Sequence, residues 1–172
     1  NALSYQNTTI DKVIITGKGL TESHNIQLTA SSPELEFQSS INGGLKDKHW
    51  SAQLNKFDFK NIEFGEWRLS EPANLDWEIK NNMFNISKTC LSQNDAGFCL
   101  STEGDFTNSL SGNVILNQLP LKLAKPWLPE TLNLNGSLTG DVSFSKDDTK
   151  HQLEVLLKGN NTQVMLGFED NI

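Results

Sequence analysis

The chain has 172 residues, with 14 Lys+Arg against 21 Asp+Glu and a net charge of −7. That length suits one domain with a sizeable core or a short repeat array. The acidity and the scattered cations exclude a general nucleic-acid binder and a polybasic membrane-surface module. At 36% hydrophobic residues the chain is not disordered. No stretch approaches ~18 consecutive apolar residues, so no transmembrane helix is expected. The opening Asn1–Tyr5 has neither a basic start nor an apolar h-region. With no initiator Met and an abrupt finish at Ile172, the chain reads as a piece excised from a larger exported protein rather than as a cytosolic one.

Residues 1–10 read as a leading segment, part of a preceding strand. From residue 11 onward apolar residues alternate with polar ones. Gly17-Lys18-Gly19 reads as a hairpin turn, and Ile26, Leu28 and Ala30 then sit two apart. Leu35 and Phe37 follow, then a turn signal at Asn42-Gly43-Gly44. Trp50, Ala52 and Leu54 use even numbers, whereas Phe57 and Phe59 use odd; Phe64 is even, and Trp67 and Leu69 are odd again. Each flip demands a bulge or a turn if one face is to stay apolar, and Gly65-Glu66 is a natural place for one. Leu75, Trp77 and Ile79 lead to a turn at Lys80-Asn81-Asn82, and Phe84 and Ile86 to another at Gln93-Asn94-Asp95. The segment 119–130 holds three prolines and reads as a short helix or 3₁₀ piece, started by Pro120 and ended by Pro126. Leu132, Leu134, Leu138, Val142 and Phe144 hold one parity, with Gly136 and Gly140 filling gaps, before a turn signal at Gly159-Asn160-Asn161.

Period two means strands with one apolar and one polar face. The pattern predicts an all-β antiparallel structure of roughly a dozen strands, divided as 11–118, the helical connector 119–130, and 131–172. In a single sheet that many strands would span about 55–60 Å. A closed barrel, a sandwich and an open trough all satisfy the periodicity.

Catalytic and metal signals are weak. His24, His49 and His151 are far apart, each among polar residues. Gly136-Ser137-Leu138-Thr139-Gly140 lacks the spacing and the following helix of a nucleophile elbow. Glu34 and Glu36 share one strand face and read as solvated. The expectation is no enzyme and no cofactor. Cys90 and Cys99 enclose a turn-rich loop and can face each other across a hairpin, where a disulfide would place the chain outside the cytosol; two unrelated buried thiols are the other reading. Trp50, Trp67 and Trp77 sit in alternating segments, as core packing or as the wall of a groove.

Several segments, in order, resemble one family. They are Asp11-Lys12-Val13, Ser23–Leu28, Lys48–Leu54, Gly65–Leu69, the Cys90/Cys99 pair, Leu123–Glu130 and Leu134–Gly140. Together they are similar to a middle-to-C-terminal section of the TamB family, within the AsmA-like, bridge-like group. The resemblance implies an internal fragment of an inner-membrane-anchored periplasmic protein. It implies an elongated, curved antiparallel sheet, a "β-taco" with an apolar concave face, and phospholipid transport toward the outer membrane. It also implies autotransporter assembly with TamA, contacted through parts of the protein outside this fragment. The family has no catalytic residues to carry over; the cysteine pair carries over as a staple. The groove lining expected here is Ile26, Leu28, Leu35, Phe37, Trp50, Ala52, Leu54, Trp67, Leu69, Leu75, Trp77, Ile79, Phe84, Ile86, Leu132, Leu134, Leu138, Val142 and Phe144. Phospholipid acyl chains, or detergent in vitro, are the expected ligands, and the isolated fragment is expected to close partly, dimerise or hold lipid. A chaperone that pairs outer-membrane strands with its sheet edges, and a structural spacer with a filled apolar face, are the alternatives.

Overall fold

A computed structural model describes residues 3–5, 8–105, 107–129 and 131–166; the ends of the leading segment and of the 131–172 section, and Glu130 of the connector, lie outside the described residues. Strands β1 (Leu3–Tyr5) and β2 (Thr8–Ile10) pair with each other as a separate ribbon. The remaining eleven strands form one antiparallel sheet. They are β3 (Lys12–Leu20), β4 (Ser23–Ser31), β5 (Leu35–Lys46), β6 (His49–Asn61), β7 (Gly65–Leu69), β8 (Ala73–Glu78), β9 (Met83–Gln93), β10 (Ala96–Gly104), β11 (Leu110–Pro120), β12 (Leu132–Lys146) and β13 (His151–Leu166).

Neighbours in sequence are neighbours in the sheet, from β3 at one edge to β13 at the other, with a single exception. β7 pairs with Asp58–Asn61 of β6, β8 pairs with His49–Leu54 of the same strand, and both lie against β9. They are two halves of one strand position, interrupted around Pro72, which has no N–H to give a ladder. The sheet is therefore ten positions wide, about 43 Å at ~4.8 Å per spacing, shorter than a dozen separate strands would be. β3 and β13 are not paired with each other, so the sheet is open. That rules out both the barrel and the two-sheet sandwich.

Register carries the two faces across this width. One rung runs His24–Gly43–Ala52–Leu75–Ile86–Thr102–Gly112–Phe144–Leu153 through directly opposed partners. Another runs Val13–Ala30–Phe37–Phe59–Trp67, and a third Leu69–Leu91–Phe98–Leu116–Gly140–Leu157. The first parity flip is a bulge: the register shifts between Ser40 and Ile41, so Asn55 is the extra residue and Phe57 and Phe59 rejoin the face of Leu54. The second is the turn 62–64 before Gly65, whose φ is +83°. Further shifts lie between Leu100 and Thr102, between Leu116 and Leu119, and between Asn135 and Ser137. Gln118 and Asn161, at positive φ, absorb the last two.

Three expected turns lie inside strands. Gly17–Gly19 belongs to β3, Asn42–Gly44 to β5, and Gly159–Asn161 to β13. The chain reverses instead at Thr21-Glu22 and at Asp47-Lys48, the latter pair at φ 49° and 65°. The glycines serve close approach: a Cβ on Gly43 would sit 2.6 Å from that of Ala52. The signals at Lys80–Asn82 and Gln93–Asp95 do mark turns.

The proline-rich segment forms a 3₁₀ helix, Leu121–Trp127, with Pro120 at its N-cap and Pro126 in its last turn. It does not divide the sheet, because β11 and β12 pair on either side of it. Cys90 and Cys99 are direct partners in the β9–β10 hairpin and are disulfide-bonded, with Cα atoms 4.0 Å apart. They stand on the polar face, opposite the parity of Leu91 and Phe98.

The turn after β10 is held by Asp105, the only buried polar side chain among the described residues. The amides of Asn108, Thr107 and Ser109 donate to its carboxylate at 2.6, 2.8 and 3.3 Å. These bonds, Asn108's foremost, hold its pKa below the usual carboxylate value against the opposing effect of desolvation. A lowered folded-state pKa gives stability that is present above the unfolded value, about 3.9, and lost as pH falls through the folded value. Asp105→Asn should therefore destabilise the chain at neutral pH and flatten the decline of stability below about pH 4, measured by urea unfolding across that range. Replacing both cysteines by serine should lower stability by about 2–3 kcal/mol, the chain-entropy value for a loop of this length, read as a fall in the urea midpoint.

Candidate functional site

Alternation in a ten-position sheet creates two large faces of opposite character. The polar face carries a network of side-chain bonds, with a few exposed apolar residues such as Ile14 and Leu156 among them. Asn25 donates to the Asn42 side chain at 2.6 Å, Lys56 to Gln38 at 2.8 Å, and Gln53 to Asn74 at 3.5 Å. Lys60 pairs with Glu36, His49 with Asp76, and Arg68 with Glu66. The opposite face is apolar in every strand from β3 to β13 and has no second layer over most of its area. Among the described residues only Ala52, Trp67 and Ala73 are buried hydrophobics. Ile15 is 70% exposed, Leu153 70% and Val155 51%.

Register places the expected lining as follows. Ile26 and Leu28 of β4, Leu35 and Phe37 of β5, and Trp50, Ala52 and Leu54 of β6 share the apolar face. So do Trp67 and Leu69 of β7, Leu75 and Trp77 of β8, and Phe84 and Ile86 of β9. Leu132, Leu134, Leu138, Val142 and Phe144 hold the same parity along β12, since the extra residue of the last bulge belongs to β13. Ile79 is the exception: it lies in the turn just past β8.

The alternation reading missed much of the same face. Phe57 and Phe59 carried the pattern but stood on the other side of a parity flip. Leu91 and Phe98 lie in the cysteine hairpin, and Leu116 is hidden in the run Val114-Ile115-Leu116, where three consecutive apolar residues erase parity. Leu153, Val155 and Leu157 alternate cleanly in β13 and were legible.

These missed residues build the most apolar concavity. A cup of about 500 Å³ opens over the middle of the sheet. Phe57 and Phe59 of β6, Phe64 of the following turn and Trp67 form one wall. Leu91, Phe98, Leu116 and Leu119 form the floor beyond, and Leu123 and Trp127 of the 3₁₀ helix overhang it. Trp67 is the anchor at 5% exposure: its ring lies 5.6 Å from that of Phe98, and its Nε1–H donates to the Phe64 carbonyl at 3.0 Å. Phe64 stacks on Trp127 at 6.3 Å. Elsewhere on the face Trp50 Nε1–H donates to His24 Nε2 at 3.2 Å, so an indole polar atom is satisfied without breaking the apolar surface.

Such a molecule is a β protein built on one open eleven-stranded antiparallel sheet with a broad apolar face. Its whole length, residues 1–172, matches the family described as TamB, N-terminal domain. The chain belongs to the TamB family, a component of the translocation and assembly module. The match corrects one expectation: the order of motifs pointed to a middle-to-C-terminal section, whereas the matching description is of the N-terminal domain. No solved structure matches the chain. Among the described residues no helix is long and apolar enough to cross a membrane, which says nothing about strands. Trp67→Ala should cost about 3–5 kcal/mol, as for other truncated core aromatics, because Trp67 is the one large side chain buried on this face among the described residues; urea unfolding measures it.

Proposed function

We propose that this chain is a stretch of lipid-carrying surface in a periplasmic, inner-membrane-anchored protein that moves phospholipids toward the outer membrane. In the same protein it supports autotransporter assembly with TamA, which is contacted through segments beyond this chain. The observation that carries the proposal is the apolar face, which runs over ten strand positions and has no second layer over most of its area. Soluble proteins rarely expose so large an apolar patch without a use for it. An acyl chain of about fourteen carbons costs on the order of 10 kcal/mol to expose to water, at ~0.8 kcal/mol per methylene. A curved sheet lined by Leu, Ile, Phe and Trp offsets that cost while head groups stay in water. Aliphatic rows with few polar interruptions hold chains without fixing them, which sliding requires. Such a role needs no catalysis and no cofactor. A filled spacer is disfavoured, because its face would be covered.

A second reading rests on the edges. Among the described residues β13 offers sixteen residues with one unpaired side, and β3 nine. An incoming outer-membrane strand could add to either by β-augmentation. In isolation the same surfaces favour dimers or bound detergent.

Photocrosslinking of the full-length protein in intact cells separates the readings. A photoreactive residue at Leu54 or Leu134, on the apolar face, should yield phospholipid adducts; at Lys56 or Asn133, on the polar face, it should not. Protein adducts at β3 or β13 without lipid on the face would transfer the role to strand capture.

A further inference from the structure

The 3₁₀ helix has a second surface beside the one that overhangs the cup. Lys122 and Lys125 are three residues apart. A 3₁₀ helix has three residues per turn, so side chains at i and i+3 are eclipsed, about 6 Å apart along the axis. Both lysines are exposed. Among the described residues neither ammonium has an ion-pair or hydrogen-bond partner. They border a cavity of about 170 Å³, separate from the cup, between the helix and Leu132–Asn135 of β12, and among the described residues no acidic side chain lines either one. In a chain of net charge −7 this is a local cationic edge on the same helix whose Leu123 and Trp127 overhang the cup. The cup, at about 500 Å³, has room for roughly fifteen groups of about 30 Å³ each, the size of one acyl chain. The helix is lightly anchored: Pro120 gives no side-chain cap and none of its residues is buried.

We propose that the 3₁₀ helix is a strap that holds one anionic lipid at a fixed station on the face. The acyl chain lies in the cup beneath Leu123 and Trp127, and the head-group phosphate sits across Lys122 and Lys125. The proposal rests on the lipid-carrying role and adds to it a resting place and a charge preference. The apolar walls accept any chain; the two ammoniums select those that end in phosphate. With no buried residue to extract, the helix lifts as a chain enters.

The test uses a single-chain phosphate monoester brominated on its acyl chain and a neutral monoacylglycerol with the same brominated chain, both below micellar concentration. Bromine quenches tryptophan on contact, so Trp67 and Trp127 report arrival in the cup, with Trp50→Phe and Trp77→Phe removing the other two reporters. The phosphate amphiphile should bind about fivefold tighter than the neutral one, the size expected of two solvent-exposed ion pairs. Lys122→Gln with Lys125→Gln should erase that difference and leave neutral binding unchanged, and the double Arg variant should restore it. Equal binding of the two amphiphiles, or a preference that survives the double Gln variant, would overturn the strap assignment and leave the lipid-carrying role standing. Displacement of the brominated chain by glycerol phosphate alone would also overturn it, in favour of a site for free phosphate. Quenching by neither amphiphile would overturn both the strap and the lipid-carrying role.

Discussion

Everything in this molecule depends on keeping side-chain parity through a single hydrogen-bonded ladder ten positions wide. A strand offset by one residue would transpose its apolar and polar sets. In a sandwich such an error would be resisted by a packed core. Here, among the described residues, only the short 3₁₀ helix lies over the face, and register is maintained by the meander itself, with each strand read against the one before it. The bulge at Asn55 and the shifts near Gln118 and Asn161 are the means of correction. Each adds residues on one strand and returns the next apolar side chain to the common face. Stability of this kind is nearly one-dimensional, a sum of neighbour contacts, as in repeat proteins.

The apolar face is consequently what binds neighbouring strands together. Its cohesion is lateral: cross-strand pairs such as Phe37–Phe59, Trp50–Trp77 and Val114–Val142 contribute roughly 0.2–1 kcal/mol each. The disulfide adds its constraint from the polar side, where it takes no space from the apolar surface. Glycines at directly opposed positions let large neighbours lie flat. Phe144 spreads over Gly112, where a Cβ would come within 2.5 Å of the ring. The result is a broad apolar surface in a chain of ordinary hydrophobic content, because most apolar residues in the sheet are directed to one side, with Ile14, Ile115 and Leu156 among the exceptions.

The middle of the sheet departs from this uniformity. The irregular pairing of β11 beyond Leu116 leads into the 3₁₀ helix, which returns over the face and meets Phe64 through Trp127. There the otherwise open surface gains walls and becomes a cup. In this TamB-family chain the apolar face is thus open over most of its width and walled at one place.

The sequence by itself determined the secondary structure and the division into faces, because period two is a local property that survives without knowledge of partners. Ile26 and Leu28, Trp50 to Leu54, and Leu75 and Trp77 were legible for that reason. So was the helical segment, from the fixed φ of its prolines, and the cysteine hairpin was one of two open readings. Turns were legible only in part. Gly43, Gly44 and Asn161 carry turn chemistry but serve close approach or a bulge, and which of these a glycine or asparagine does depends on the neighbouring strand. Only the tertiary structure decided that the sheet stays open, that β7 and β8 share one position, and that Phe57, Phe98, Leu116 and Trp127 meet in a cup. Those residues are up to seventy positions apart, and nothing in local periodicity records which strands become neighbours or where a connector folds back.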